Sequence, residues 1–135
     1  SIDYPAVWGK DDKYYLDHGF NGEKQSGGTI FADSQNIPFV SANTIFYGHN
    51  MKDGSMFGDL KKYRDPGFLK EHPNVEIFYQ GQWITCPIIL AKVTDETDGT
   101  PYQKGERKIL TLSTCYGTSK RMILQALIPV AGGMN

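Results

Sequence analysis

The chain has 135 residues, of which 39% are hydrophobic and 21% are charged. This length predicts a single domain over residues 1–135, and the composition excludes a disordered or membrane-embedded protein. The formal net charge of −1 argues against a nucleic-acid partner, because neutralising phosphates needs an excess of Lys and Arg. The two cysteines are too few for a disulfide framework or a four-thiolate zinc site.

Short apolar runs separated by turn residues predict a mainly β protein. Strands are predicted, in chain order, over Tyr4–Trp8, Thr29–Phe31, Asn43–Tyr47, Val75–Tyr79, Trp83–Val93, Arg107–Ser113 and Arg121–Val130. Gln80-Gly81-Gln82, between the fourth and fifth of these, is typical of a hairpin turn. Asp17–Gly28 is rich in glycine and predicts a loop.

One stretch between the early and late strands predicts helix. Ser55 is a suitable N-cap for its first part. Three apolar residues then share a face at helical spacing: Met56, Leu60 and Tyr63. Asp65 caps a second part, with Pro66 at its first helical position, and Pro73 ends it. These elements together predict a compact β-barrel with helical decoration.

A thiol lies at the end of the segment Arg107–Cys115. Alternation along a strand places Thr111, Ser113 and Cys115 on one face. A thiol in that position, facing a loop, suits a nucleophile that is presented by a rigid scaffold. The alternative is a small buried hydrophobic residue, which is the usual state of a free cysteine.

A histidine follows another predicted strand. His49 comes directly after Gly48 at the end of Asn43–Tyr47 and can act as an acid or base near neutral pH. The alternative is a loop histidine that is bonded to backbone. His18 and His72 lie in polar, turn-like surroundings, which favours that structural interpretation for both.

Arg121 opens the last predicted strand shortly after the thiol. If the connection between them is tight, its guanidinium comes close to Cys115, where it favours a thiolate and stabilises a developing oxyanion. The alternative is a solvated charge at a strand end, and Lys120 and Arg107 are competing cations. A Cys, a His and an Arg at three strand ends can perform acyl transfer.

Metal binding is weakly supported, because no His or Cys pair has a short ligand spacing. The acidic run Asp95–Asp98 is interpreted as a solvated turn, with calcium binding as the alternative. The residues alone therefore do not favour a metal site.

Three motifs resemble those of one family. Thr111-Leu-Ser-Thr-Cys115 resembles the T-L-x-T-C signature of sortases. The run from Tyr47 to Phe57, YGHNMKDGSMF, is similar to the histidine segment of class B sortases, and IDYPAV from Ile2 to Val7 resembles a strand of that class. The resemblance extends from residue 2 to about residue 128.

This resemblance implies a closed β-barrel of about seven to eight strands with short helices. It implies Cys115 as the nucleophile, His49 as the catalytic histidine and Arg121 as the catalytic arginine, with no metal or cofactor. Ser113 and Thr114 are predicted to line the acyl-binding groove. Both thiols are expected to be free, with Cys86 in the core.

Sortases are cysteine transpeptidases on the outer face of the plasma membrane of Gram-positive cells. The resemblance implies that this chain cleaves the C-terminal sorting signal of secreted proteins through a thioester. The acyl group would pass to an amine of a cell-wall peptide or a pilin lysine. The expected partners are therefore the sorting-signal peptide and the amine acceptor, with no nucleic acid. The alternatives are a hydrolytic cysteine peptidase and an inactive β-barrel module that binds peptides.

Two departures from the class B pattern are expected to matter. N-terminal helices and a membrane anchor precede the IDYPAV-type strand in the class, and we expect them to be absent from a chain that opens at Ser1. Class B members also carry a long helical insertion before the cysteine strand, where this chain has only Thr94–Glu106. Because that insertion helps to recognise the sorting signal, its absence bears on specificity.

Overall fold

The computed structural model describes residues 2, 4–8, 14–19, 23–25, 27–34, 38–39 and 41–129. Within them, seven strands follow in chain order: β1 (Ala6–Trp8), β2 (Ile30–Ala32), β3 (Asn43–Tyr47), β4 (Asn74–Tyr79), β5 (Gln82–Asp95), β6 (Ile109–Tyr116) and β7 (Lys120–Leu127). The helical segments are α1 (Pro66–Glu71) and three 3₁₀ segments: Tyr14–Leu16, Gly58–Arg64 and Thr100–Tyr102. No described helix is long and apolar enough to cross a membrane.

The described strands form one curled sheet in the order β1-β2-β3-β6-β7-β5-β4. The pairs β1–β2 and β3–β6 are parallel, and the other neighbours are antiparallel. This confirms a mainly β, barrel-type fold of about seven to eight strands with short helices. The described part is a half-barrel whose two edge strands are β1 and β4.

The predicted strands exist, with shifted bounds in most cases. β3 has the predicted bounds, whereas β1 is shorter than predicted, and Val130 lies outside the described residues. The prediction that Gln82 belongs to a turn is wrong. Gln80 and Gly81, with φ of 50° and 79°, complete a two-residue turn of the kind that matches strand twist, so Gln82 can start β5.

The helix prediction is wrong at its start. Ser55 is not an N-cap, because its N–H and hydroxyl both donate to Asp53 Oδ1, at 2.9 Å and 2.6 Å. These hydrogen bonds also hold the pKa of Asp53 below its usual value. Met56 then takes a left-handed conformation with φ of 54°, so the 3₁₀ helix begins only at Gly58.

The second helical prediction is confirmed. The Asp65 carboxylate accepts a hydrogen bond from the Gly67 N–H at 3.0 Å, and Pro66 occupies the first turn of α1. A proline fits there because that position needs no N–H donor. The helix ends at Glu71, before Pro73.

The core lies on one face of the sheet. The Gly58–Arg64 helix covers β5, β6 and β7 from this side. The buried apolar cluster of the core consists of Ile30, Phe57, Leu60, Cys86, Leu110, Leu112, Met122, Leu124 and Ala126. Leu110 and Leu112 of β6 belong to this cluster, so alternation directs Thr111, Ser113 and Cys115 to the opposite face.

Candidate active site

The ends of three central strands lie side by side, because β3, β6 and β7 are neighbours in the sheet. The parallel pairing of β3 with β6 brings their C-terminal ends together, and the antiparallel β7 begins at the same place. His49 follows β3, Cys115 lies near the end of β6, and Arg121 lies at the start of β7. The fold therefore collects the three predicted catalytic residues.

Arg121 lies directly opposite Cys115 in the β6–β7 register. Its Nη1 donates a hydrogen bond to Cys115 Sγ at 3.8 Å. The thiol is free and the residue is exposed, so a substrate can reach it. The predicted geometry is thus confirmed, and a cation that contacts the sulfur can stabilise negative charge there and on a bound carbonyl oxygen.

The two competing cations lie elsewhere. Lys120 Nζ is 3.7 Å from Asp95 Oδ2, so its charge is directed to the neighbouring strand β5. Arg107 precedes β6, at the end opposite Cys115. At a strand rise of about 3.3 Å per residue, some 25 Å separates Arg107 from the thiol.

The His49 side chain is oriented by backbone contacts. Its Nε2 lies 2.5 Å from the Leu16 carbonyl oxygen. A carbonyl oxygen only accepts, so Nε2 carries the hydrogen and Nδ1 is the nitrogen left with a lone pair in the neutral ring. The His49 carbonyl also accepts from the Phe57 N–H at 2.9 Å. This loop packs tightly, since a Cβ at Gly48 would lie 2.8 Å from the Phe57 ring.

Ser113 and Thr114 are both buried. Ser113 lies on the face of Cys115, and its hydroxyl is 2.8 Å from the hydroxyl of Tyr102. Alternation places Thr114 on the opposite face, and its hydroxyl has no hydrogen-bond partner among the described residues. Their assignment to an acyl-binding groove stays a prediction.

The sequence interpretation missed the turn Thr100–Tyr102, which lies against the sheet on the Cys115 face. The Pro101 carbonyl accepts from Asn43 Nδ2 and from Gln125 Nε2, both at 2.9 Å. Thr111 completes the network by donating to Asn43 Oδ1 at 2.6 Å. The available signal was the polar character of Thr111 and Gln125, which lie opposite each other in the β6–β7 register.

The other cysteine and His18 have burial or contacts that indicate a structural role. Cys86 is fully buried, and burial raises the pKa of its thiol to about 11, with a further contribution from the charge of Glu76. His18 Nδ1 lies 2.8 Å from the Tyr14 carbonyl oxygen and from Asp17 Oδ1. No group of three or more His, Cys, Asp or Glu residues in the described ranges is arranged to hold a metal ion.

The curled β half-barrel thus presents an exposed, free thiol that accepts a hydrogen bond from Arg121, with His49 following the neighbouring strand β3. Residues 2–128 match the family described as Sortase domain. Sortase B of Listeria monocytogenes is 41% identical over 157 residues, covering 92% of this chain and 63% of the relative. Sortase B of Staphylococcus aureus is 36% identical over 77 residues, covering 56% of this chain and 32% of the relative.

Solved structures give the same result. Sortase B from Listeria monocytogenes superposes with a TM-score of 0.83 at 35% identity, covering 93% of this chain and 87% of that one. Sortase B of Clostridium perfringens has a TM-score of 0.81 at 27% identity, with coverages of 93% and 86%. A Staphylococcus aureus sortase B–substrate complex has a TM-score of 0.81 at 25% identity, with coverages of 96% and 74%.

The chain therefore belongs to the sortase family, and it is a class B-like member. It spans 63% of the length of the Listeria relative and 32% of the Staphylococcus relative. The Listeria alignment extends over 157 residues, more than the 135 of this chain, so the relative holds residues inside the aligned region that this chain lacks. The β5–β6 connection is short: residues 96–108 contain one three-residue 3₁₀ segment.

Proposed function

We propose that this protein is a cysteine transpeptidase that cleaves the C-terminal sorting signal of secreted proteins and transfers the acyl group to an amine. The observation that carries the proposal is the hydrogen bond from Arg121 Nη1 to the exposed, free Cys115 thiol, beside the strand end that bears His49. Membership of the sortase family and the likeness to a sortase B–substrate complex support it.

In the proposed mechanism the Cys115 thiolate attacks the carbonyl carbon of the scissile peptide bond. The electron pair moves to the carbonyl oxygen, which Arg121 stabilises as an oxyanion. Collapse of this intermediate expels the amine, which His49 protonates, and leaves a thioester on Cys115. An incoming amine then loses a proton to His49, attacks the thioester and releases the Cys115 thiolate.

The proposed partners are a sorting-signal peptide and an amine acceptor, either a cell-wall peptide or a pilin lysine. The proposed place of action is the outer face of the plasma membrane of a Gram-positive cell. Ser113 and Thr114 are proposed to belong to the acyl-binding groove, with Ser113 acting beneath Tyr102, whose hydroxyl it contacts. The β5–β6 connection holds the three-residue segment that carries Tyr102, so recognition of the signal is proposed to proceed without a long helical insertion.

The test is intact-mass spectrometry after mixing the protein with N-P-x-T and L-P-x-T peptides. We expect an acyl adduct on Cys115 that disappears when an amine acceptor is added, with a new amide product. Cys115→Ala should form no adduct, and His49→Ala should lower product formation by about a hundredfold or more, as removal of a general acid–base does. Peptide cleavage by Cys115→Ala would overturn the proposal.

Two competing functions give different products in the same experiment. A hydrolytic cysteine peptidase would release the free acid whether or not an amine is present. A peptide-binding module without catalysis would bind the peptide and form no adduct. Either result would replace the transpeptidase assignment.

A further inference from the structure

The loop that carries His49 is joined to β6 on both sides of the histidine. The Gly48 N–H donates to the Ser113 carbonyl at 3.3 Å. Asn50 Nδ2 donates to the Cys115 carbonyl at 2.9 Å. The residues that flank His49 therefore contact the backbone of β6 at Ser113 and at Cys115 itself.

The second of these contacts continues a β ladder by means of a side chain. β3 and β6 are parallel, with Tyr47 opposite Ser113. In a parallel pair, successive donors from one strand come two residues apart, so after Gly48 the next donor to β6 should be the backbone N–H of residue 50. Instead the side-chain amide of Asn50 supplies the donor to Cys115.

Because the side chain replaces the backbone N–H as donor, the chain can leave the sheet while it stays hydrogen-bonded to β6. The backbone of Asn50 pairs with Met56 in an isolated antiparallel bridge, and the His49 carbonyl accepts from the Phe57 N–H. The backbone after His49 is thus committed to the loop that leads to the Gly58–Arg64 helix. Among the hydrogen bonds of the described residues, the one from the Asn50 side chain connects this loop to the residue that bears the thiol.

We propose that Asn50 is a positioning residue that sets the placement of the Cys115 thiol relative to the His49 imidazole. The inference rests on the proposed function, because it concerns the same nucleophile and histidine. An asparagine suits the task because its neutral amide donates to a carbonyl without placing a charge beside the thiol. A carboxylate of the same shape would only accept, so it would oppose the Cys115 carbonyl.

The test is Asn50→Asp, a change of one polar group that preserves the side-chain shape. We expect kcat to fall by about tenfold to a hundredfold, since small misplacements of reacting groups cost rates of this order. KM should stay within about twofold, because the substitution leaves the groove intact. Asn74→Asp is the matched control, since it makes the same chemical change at the start of the edge strand β4.

A pH series separates positioning from general damage to the fold. Below about pH 4 a carboxyl group is protonated and can donate again. The ratio of kcat for Asn50→Asp to that of the original protein should therefore rise on acidification, whereas the ratio for Asn50→Ala should stay constant. If Asn50→Asp does not fold, Asn50→Ala still reports the kcat loss at an unchanged KM.

Two readouts do not depend on transpeptidation. The carbonyl ¹³C shift of Cys115 should change in Asn50→Ala and not in Asn74→Asp. The rate of Cys115 alkylation by iodoacetamide should fall several-fold in Asn50→Ala. If the original protein forms no acyl adduct, the proposed function fails, and these two readouts alone decide the role of Asn50. The inference would be overturned if Asn50→Ala changes the Cys115 carbonyl ¹³C shift but leaves both the alkylation rate and kcat normal.

Discussion

Cys86 and Cys115 are the same residue type in two environments that give them different chemistry. Cys86 lies on the core face of β5 and is fully buried, and burial raises the pKa of its thiol to about 11. Cys115 is exposed and accepts a hydrogen bond from the Arg121 guanidinium. Because a thiolate is the reactive form, burial makes Cys86 inert, whereas Cys115 is open to substrate beside a fixed positive charge.

At the residue scale we predict that Arg121→Ala lowers kcat/KM by about a hundredfold to a thousandfold, the usual effect of removing an oxyanion donor. The reason is its contact with Cys115 Sγ at 3.8 Å, from the opposite position of the β6–β7 register. The measurement is the rate of peptide cleavage as a function of peptide concentration.

The matched control for this prediction is Lys120→Ala, one residue earlier. It removes a cation that is paired with Asp95 at 3.7 Å. We expect its kcat/KM to stay within about threefold of the original, as for a surface ion pair. Equal losses in the two variants would contradict the assignment of Arg121, because they would indicate a general charge effect.

At the scale of elements, the β4–β5 hairpin shows how a turn aligns two strands. Gln80 and Gly81 both have positive φ, and the register then runs from Tyr79–Gln82 to Asn74–Pro87. The side of the hairpin that packs on the core cluster thereby carries Val75, Ile77 and Ile84. The outer face carries Phe78 and Trp83, whose rings lie 5.2 Å apart.

We predict that Gly81→Ala destabilises the protein by about 1 kcal/mol, the cost of a left-handed conformation for a residue with a Cβ. The cost is a backbone effect alone, since nothing lies within 4 Å of a Cβ at this position. The measurement is the free energy of unfolding from urea titration.

Gly99→Ala is the control for the hairpin prediction. Gly99 also has open space around its Cβ position, but its φ is −84°. We expect the free energy of unfolding to be unchanged or slightly higher, because alanine at a compatible position restricts the unfolded chain. A loss at Gly99 equal to that at Gly81 would contradict the backbone explanation.

At the scale of the whole molecule, the order of strands puts distant parts of the chain at one edge of the sheet. β3 pairs with β6 although two strands and three helical segments intervene in sequence. The short β5–β6 connection then folds onto the Cys115 face, where Asn43, Thr111 and Gln125 hold it. The site is therefore bounded by a turn that is fixed to the sheet by buried hydrogen bonds.

The same connection begins with an acidic turn that predicts a pH dependence of stability. The Asp98 carboxylate accepts from Thr94 Oγ1 at 2.6 Å and from the Thr100 N–H at 3.0 Å. These bonds, with a smaller contribution from Lys92, lower the pKa of Asp98 from 3.8 to about 2. A lowered pKa in the folded state means that the unfolded state binds the proton more readily.

We therefore expect the contribution of Asp98 to be complete above about pH 4 and to be lost as the pH falls toward 2. The measurement is the free energy of unfolding at steps through this range. Asp98→Asn should show a shallower decline than the original protein, in which Asp53 and Asp95 also have lowered pKa values. Identical slopes would contradict the prediction.

Local patterns were sufficient to predict the features that depend on neighbouring residues. The apolar run at β3, the Asp65-Pro66 start of α1 and the alternation that puts Ser113 and Cys115 on one face were all predicted correctly. The motifs around His49 and Cys115 indicated the family. Ser55 failed as a cap because its N–H and hydroxyl donate to Asp53 and the left-handed Met56 follows, features that cap preferences do not include.

The sequence by itself determined the strands, the family and the candidates for the catalytic residues, because these depend on side chains close in the chain. Only the tertiary structure decided that Arg121, and not Lys120 or Arg107, contacts the thiol. It also decided that Tyr102 contacts Ser113 and that Asn50 binds the Cys115 carbonyl. These contacts depend on strand order and register, which are decided by packing between segments far apart in sequence.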